Sequence, residues 1–153
     1  MPNADSISDP DESTDLALTH QALDTDPPPP SAEHGACVQF LGIVRGTEDG
    51  RQISGIDYRA YPPMAKAMLA KIARHGAEEF GEHRLKLHHR IGFVPAAEPS
   101  VVIRVTTRHS QAAFDICRSY LHRLKTEIPI WKHPVFLEEP EAGISAQQSL
   151  PGD

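Results

Sequence analysis

The sequence predicts an α+β domain with a mixed or antiparallel sheet and two main helices, preceded by a disordered acidic tail. Three observations predict it. First, charge is segregated: residues 1–35 hold eight acids and no Lys or Arg, so of the 21 acids thirteen remain beside all 15 bases in residues 36–153. The formal charge of −6 is therefore an acidic tail on a slightly basic body. Second, from residue 35 onward extended and helical periodicities alternate in the order β-β-α-β-β-α-β, which does not fit a uniform series of βαβ crossovers. Third, 39% hydrophobic residues over 153 positions suffice for one core and one domain.

Residues 1–34 read as a disordered tail, 35–140 as the folded domain and 141–153 as a flexible C-terminus. The tail has apolar residues only at scattered places such as Leu16, Leu18 and Leu23, too few to offset the entropy of ordering it, and Pro27 to Pro30 hold the chain extended. Such a tail should be removable without loss of the fold.

From Gly35 the texture changes. The mostly apolar run Ala36 to Arg45, the turn Glu48-Asp49-Gly50-Arg51, and a second run punctuated by Ile53, Ile56, Tyr58 and Tyr61 read together as a β-hairpin. Pro62-Pro63 suits a first helical turn, where a missing N–H is no loss. Met64, Met68, Ile72 and Ala73 follow at helical spacing, with Phe80 near the end and Gly81 as the stop. Leu85, Leu87, His89 and Ile91 alternate as on a strand, and Gly92 to Pro99 read as a loop. Ser100 to Thr107 is a β-branched strand. His109 to Lys125 carries Ala113, Phe114, Ile116, Cys117, Tyr120, Leu121 and Leu124, an amphipathic helix. Pro129 ends any continuation, and Ile130-Trp131 begins a short extended piece.

Composition excludes several functions. A body so weakly basic argues against a phosphate-backbone binder, so no nucleic-acid partner is expected. Cys37 and Cys117 make neither a disulfide framework nor a CxxC pair. No basic-then-apolar leader and no apolar run near the ~20 residues of a membrane span is present, so a soluble cytoplasmic protein is expected. The nine histidines are scattered, and His88 and His89, adjacent on a strand, point to opposite faces. With no HExxH and no paired thiols, no metal is expected. Walker, GxGxxG and GxSxG motifs are absent too.

The lysines are what stand out. Lys125 and Lys132 bracket Thr126-Glu127-Ile128-Pro129-Ile130-Trp131, a stretch with a proline and the only tryptophan. If both ammoniums face one partly desolvated pocket, such a pair suits acyl chemistry: a lysine attacks an acyl carbon as the neutral amine, or steadies an oxyanion as the cation. Spacing makes the pair a candidate only.

Four segments carry a resemblance. Phe40-Leu41-Gly42-Ile43-Val44-Arg45-Gly46, Tyr58-Arg59-Ala60-Tyr61-Pro62-Pro63-Met64-Ala65, His89-Arg90-Ile91-Gly92 and Leu124-Lys125-Thr126-Glu127-Ile128-Pro129-Ile130-Trp131-Lys132 resemble, in order and spacing, the large catalytic subunit of molybdopterin synthase, over residues 36 to 137. The resemblance implies an α/β-hammerhead fold and a homodimer with a small ubiquitin-like sulfur-carrier subunit at each end. The carrier's Gly-Gly C-terminus, charged as a thiocarboxylate, would deliver two sulfurs to cyclic pyranopterin monophosphate to make molybdopterin, with no cofactor. It implies that Lys125 and Lys132 are the catalytic pair, that Arg45 lies beside the pocket, and that Phe40 forms its aromatic wall. His109 would help hold the anionic pterin phosphate from the neighbouring large subunit.

Two positions depart from the family. Ser110 follows His109 where an arginine is usual, with Arg108 on the other side as the remaining candidate to bind the anionic substrate, and Pro134 stands where a glutamate is usual. Serine replaces neither the charge nor the bidentate geometry of arginine, so the first departure bears on substrate affinity more than on sulfur chemistry. These departures also motivate an alternative: a divergent, weakly active homologue that serves as a binding scaffold for a ubiquitin-like protein.

Overall fold

A computed structural model of the chain describes residues 5–7 and 12–137. The expected flexible segment 141–153 lies outside them, as do residues 138–140. The described elements are β1 (Ser6–Ile7), β2 (Thr14–Thr19), β3 (Ala36–Ile43), β4 (Thr47–Glu48), β5 (Arg51–Ala60), α1 (Pro62–Phe80), β6 (Arg84–Arg90), β7 (Gly92–Pro95), β8 (Pro99–Thr107), α2 (Ser110–Glu127) and β9 (Ile130–Phe136). The architecture is α+β, as expected.

A five-stranded sheet in the order β1-β2-β6-β8-β3 is antiparallel except for the parallel pair β2 and β6. Both helices cover one of its faces. α1 buries Ala65, Leu69, Ile72, Ala73 and Gly76, and α2 buries Ala113, Ile116, Cys117, Tyr120 and Leu124, the same helical stripe in each. These meet Leu85 and Leu87 of β6 and Val101, Ile103 and Val105 of β8 in the main core. Met64 and Phe114 fall one position off their stripes and stay exposed. Prolines open α1, and Gly81 at φ 78° closes it, its amide reaching the Ala77 carbonyl at 3.0 Å. α2 ends at Glu127, just before Pro129.

A smaller sheet holds β5 between β7 and β9, with β4 beside its start. Val44, Ile53, Ile56, Tyr58 and Val94 form its core. β9 pairs on one side only among the described residues, which is where a sheet tolerates Pro134.

Three expectations are corrected. Residues 1–34 are not wholly a disordered tail. Thr14–Thr19 is an inner strand between β1 and β6, with Leu16 and Leu18 at 1% and 2% exposure. Six residues with two leucines look sparse alone, but here they complete a face that β6 and α1 already provide. Nor is the tail without counter-charge. His88 bonds Asp15 at 2.8 Å, and the carbonyls of Asp24, Thr25 and Asp26 accept from Lys86, Gln39 and Arg104. The hairpin is also reassigned: the Glu48–Arg51 turn exists, but it joins β5 to the two-residue β4, while β3 leaves to pair with β8. Finally, the 92–99 loop contains β7.

Candidate active site

Where the two sheets and the end of α2 meet, a cleft of about 470 Å³ opens. Phe40 and Gly42 come from β3, Tyr58 from β5, His89 from β6, Leu121, Leu124 and Lys125 from α2, and Ile130 and Lys132 from β9. Gly42 is required by close approach: a Cβ there would stand 2.7 Å from Val101 Cγ1 and 3.5 Å from the Phe40 ring. The ladder shifts register at Gly42/Ile43, a bulge that turns the strand out of the large sheet.

The cleft brings together three of the six residues singled out in the sequence: Phe40, Lys125 and Lys132. The lysines arrive from different elements, Lys125 from the last turn of α2 and Lys132 from the third position of β9, with the Pro129 reversal between them. The residues around them are apolar on the α2 side and polar at the floor. Both lysines are themselves exposed. Trp131 gives Lys132 no shielding from water, because alternation along β9 turns Ile130 and Lys132 to the cleft and Trp131 to the opposite face, where it is 56% exposed.

The other three lie elsewhere. Arg45 is exposed beyond the bulge and does not line the cleft, although Ile43 two residues earlier does. Arg108 and His109 open onto a separate cleft of about 630 Å³ with Glu33, His34, Glu82 and Thr107. His109 is the extended N-cap residue of α2 and Ser110 its first helical residue. Residue 110 thus starts the helix, while Arg108 lies in the bend between β8 and α2.

Sequence reasoning missed the floor. Tyr58, His89 and Ser100 line it and are all buried. Burial pushes the Tyr58 hydroxyl up, opposed by a hydrogen bond with Ser100. Burial pushes His89 down to about 4, the Arg90 carbonyl opposing and the nearby Lys132 ammonium adding to the shift. The expected opposition of His88 and His89 holds: His88 faces Asp15 outside and His89 faces the cleft. That alternation was the available signal, since it put one histidine inside. Among the described residues no group of three or more His, Cys, Asp or Glu is placed to hold a metal, and Cys37 and Cys117 are both free.

A family model described as MoaE protein matches residues 11–127, most of the chain. The chain is a member of the MoaE family. The match to MoaE begins upstream of β2, so that strand belongs to the family domain, and it includes Lys125 but stops short of Lys132. A molybdopterin synthase catalytic subunit of Pseudomonas aeruginosa is 40% identical over 69% of this chain and 71% of its own length. One of Neosartorya fischeri is 36% identical over 80% of this chain and 67% of its own. Among solved structures, a molybdopterin synthase of Staphylococcus aureus superposes with a TM-score of 0.67 at 30% identity, over 71% of this chain and 80% of that one. A Helicobacter pylori structure, a complex of subunits 1 and 2 of molybdopterin-converting factor, shares the MoaE fold at a TM-score of 0.57 and 22% identity, over 75% of this chain and 82% of that one. No helix among the described residues is long and apolar enough to cross a membrane.

Proposed function

We infer that this chain is the catalytic subunit of a molybdopterin synthase, a sulfurtransferase of molybdenum-cofactor biosynthesis. The observation that carries the site assignment is the convergence of Lys125 and Lys132 with Phe40 on one cleft. The sulfur donor is the thiocarboxylated Gly-Gly end of a small ubiquitin-like carrier, and the acceptor is cyclic pyranopterin monophosphate. A narrow chain end fits a cleft whose α2 side is apolar and whose exposed ammoniums flank the entrance. A carrier tail lying over them would supply the desolvation that the single chain lacks.

In the reaction, the thiocarboxylate sulfur adds to an oxygen-bearing side-chain carbon of the pterin, and as the carbon–sulfur bond forms the carbon–oxygen bond breaks, the oxygen leaving as water after protonation. Water then cleaves the acyl–sulfur bond, releasing the carrier as its carboxylate and leaving sulfur on the product. Lys132 meets the oxyanion that develops on the acyl carbon, and Lys125 offsets charge on the same side. A second carrier delivers the second sulfur. Arg45 approaches the pterin phosphate from outside the cleft. Arg108 and His109, in their own cleft, serve the lysine cleft of a second large subunit, so the working unit is a homodimer carrying two carriers, in the cytoplasm. Arg108 supplies a cation that Ser110 does not.

The test is single-turnover conversion of the pterin precursor with saturating thiocarboxylated carrier. Wild type yields dithiolene. Lys132→Ala loses about 10²–10³ in rate, the usual cost of a preorganised oxyanion donor, and Lys132→Arg recovers little because a planar guanidinium does not fit an ammonium-sized site. Lys66→Ala and Lys71→Ala, on α1 away from the cleft, stay near wild type. A wild-type chain that binds carrier without turnover is instead a scaffold, and wild-type rates in Lys132→Ala remove the catalytic assignment.

A further inference from the structure

The floor of the lysine cleft carries an imidazole that the mechanism above does not use. His89 is 6% exposed, near the end of β6. Its Nδ1 lies 2.6 Å from the Arg90 carbonyl oxygen. A carbonyl only accepts, so Nδ1 carries the proton. The ring stands edge-on to Tyr58, with 5.2 Å between centroids, which fixes its plane. An imidazole buried in this way stays neutral at physiological pH. Nε2 therefore keeps a bare lone pair, and among the described residues no protein group hydrogen-bonds it. Nor is Nε2 sealed away: the only fully buried side-chain nitrogen or oxygen without a partner among the described residues is Arg90 Nε.

Lys132 reaches the same space across Tyr58. Tyr58 and Lys132 are directly opposed in the β5–β9 ladder, so their side chains rise from one face with Cβ atoms about 5 Å apart. Tyr58 thus has Lys132 on one flank and the His89 ring in T-shaped contact with its own. A flexible ammonium with three donors and a fixed imidazole lone pair share one cleft.

We propose that His89 is a positioning residue for Lys132: its Nε2 accepts a hydrogen bond from the Lys132 ammonium and holds that charge over the cleft floor. This rests on the reading of Lys132 as the group that meets the developing oxyanion. A free lysine samples many rotamers, and a donor restrained before the reaction needs no reorganisation during it. The partner's chemistry matters. A carboxylate in this place would pair with the ammonium and cancel the charge that the oxyanion needs. A neutral imidazole orients without cancelling. Because it is far less basic than an amine, the proton stays on Lys132, and two N–H groups remain for the acyl oxygen.

Two readouts test this on the full chain. In a long-range ¹⁵N spectrum the His89 ring shows the neutral Nδ1–H tautomer, and its Nε2 resonance moves downfield in Lys132→Met while staying put in Lys125→Met. Both lysines are exposed, so neither substitution disturbs the fold. An Nε2 resonance identical in wild type and Lys132→Met overturns the proposal. In single-turnover kinetics with saturating carrier, His89→Asn keeps a donor near the Nδ1 position but loses the Nε2 acceptor. Its rate falls about 10- to 100-fold, the worth of a hydrogen bond to a charged group, with carrier affinity unchanged. His89→Gln, whose amide oxygen reaches the Nε2 position, recovers most of the loss, and equal rates in the two variants overturn the proposal. If wild type transfers no sulfur while Nε2 still responds to Lys132→Met, the contact stands and the proposed function falls.

Discussion

His89 is buried where its charged form is disfavoured, and this makes it a determinant of stability as well as of cleft geometry. Its folded value of about 4 lies below the ordinary 6.5, so its contribution is fully present above pH 6.5 and is lost as pH falls from there through 4, where only the unfolded chain takes the proton. The difference corresponds to about 3 kcal/mol over that window. Asp15, held low by its hydrogen bond with His88, has the same sign and acts below it, since its contribution is present above 3.8 and fades as pH drops further. Chemical denaturation of wild type should therefore show stability falling between pH 6.5 and 4, and His89→Gln should flatten that slope; equal slopes would mean the imidazole titrates freely. Trp131 carries the complementary lesson. Adjacent to Lys132 in sequence, it sits on the other face of β9, so sequence neighbourhood was a poor guide to which side chain shields which.

At the scale of elements, helices were more legible than strands. Both helices and their approximate ends were readable because a helix's hydrogen bonds and apolar period are local, but the core stripes were read only in part: Met64 and Phe114 are exposed, while Ala65 and Leu69 are buried. Strand existence was readable for β3, β5, β6 and β8, but pairing was not, because β3 finds β8 across 56 to 71 residues, from Ile43 opposite Pro99 to Ala36 opposite Thr107, and no local pattern names that partner. β2 was missed for the same reason. Its side chains have value only beside β6, where Leu16 lies opposite Leu87 and Leu18 opposite His89. Leu16→Ala should accordingly cost about 2–5 kcal/mol, as for a fully buried leucine, and removal of residues 1–21 should lower the melting temperature. An unchanged melting curve for either would return this segment to the status of a tail. Leu18 also supports the cleft floor, since β2 braces the strand that carries His89.

For the whole molecule, the separation of the two clefts decides how a site is composed. Lys125 and Lys132 belong to one cleft, Arg108 and His109 to another. If the second serves a neighbouring chain, lesions in different clefts complement. Mixed Lys132→Ala and His109→Ala chains, refolded together, should regain about one quarter of the wild-type sites, because half of the dimers are mixed and each has one intact composite site. A mixture no better than its parents would confine each site to one chain. The charge pattern has a whole-molecule reading too. The Asp15 side chain and the carbonyls of Asp24 and Asp26 are held by His88, Lys86 and Arg104, and none of residues 14–26 lines the lysine cleft.

By itself the sequence determined the α+β class, both helices, the family and the identity of the cleft lysines, because these rest on local periodicity and on short motifs whose spacing survives without coordinates. Only the tertiary structure decided that β2 completes the large sheet, that Trp131 turns away, that Arg108 and His109 stand apart from the lysines, and that His89 forms the floor beside Lys132. Each of these depends on which distant strand lies alongside and which face a side chain takes. Those choices are made by burial and hydrogen bonding across the folded chain, and a period of two along one strand leaves them open.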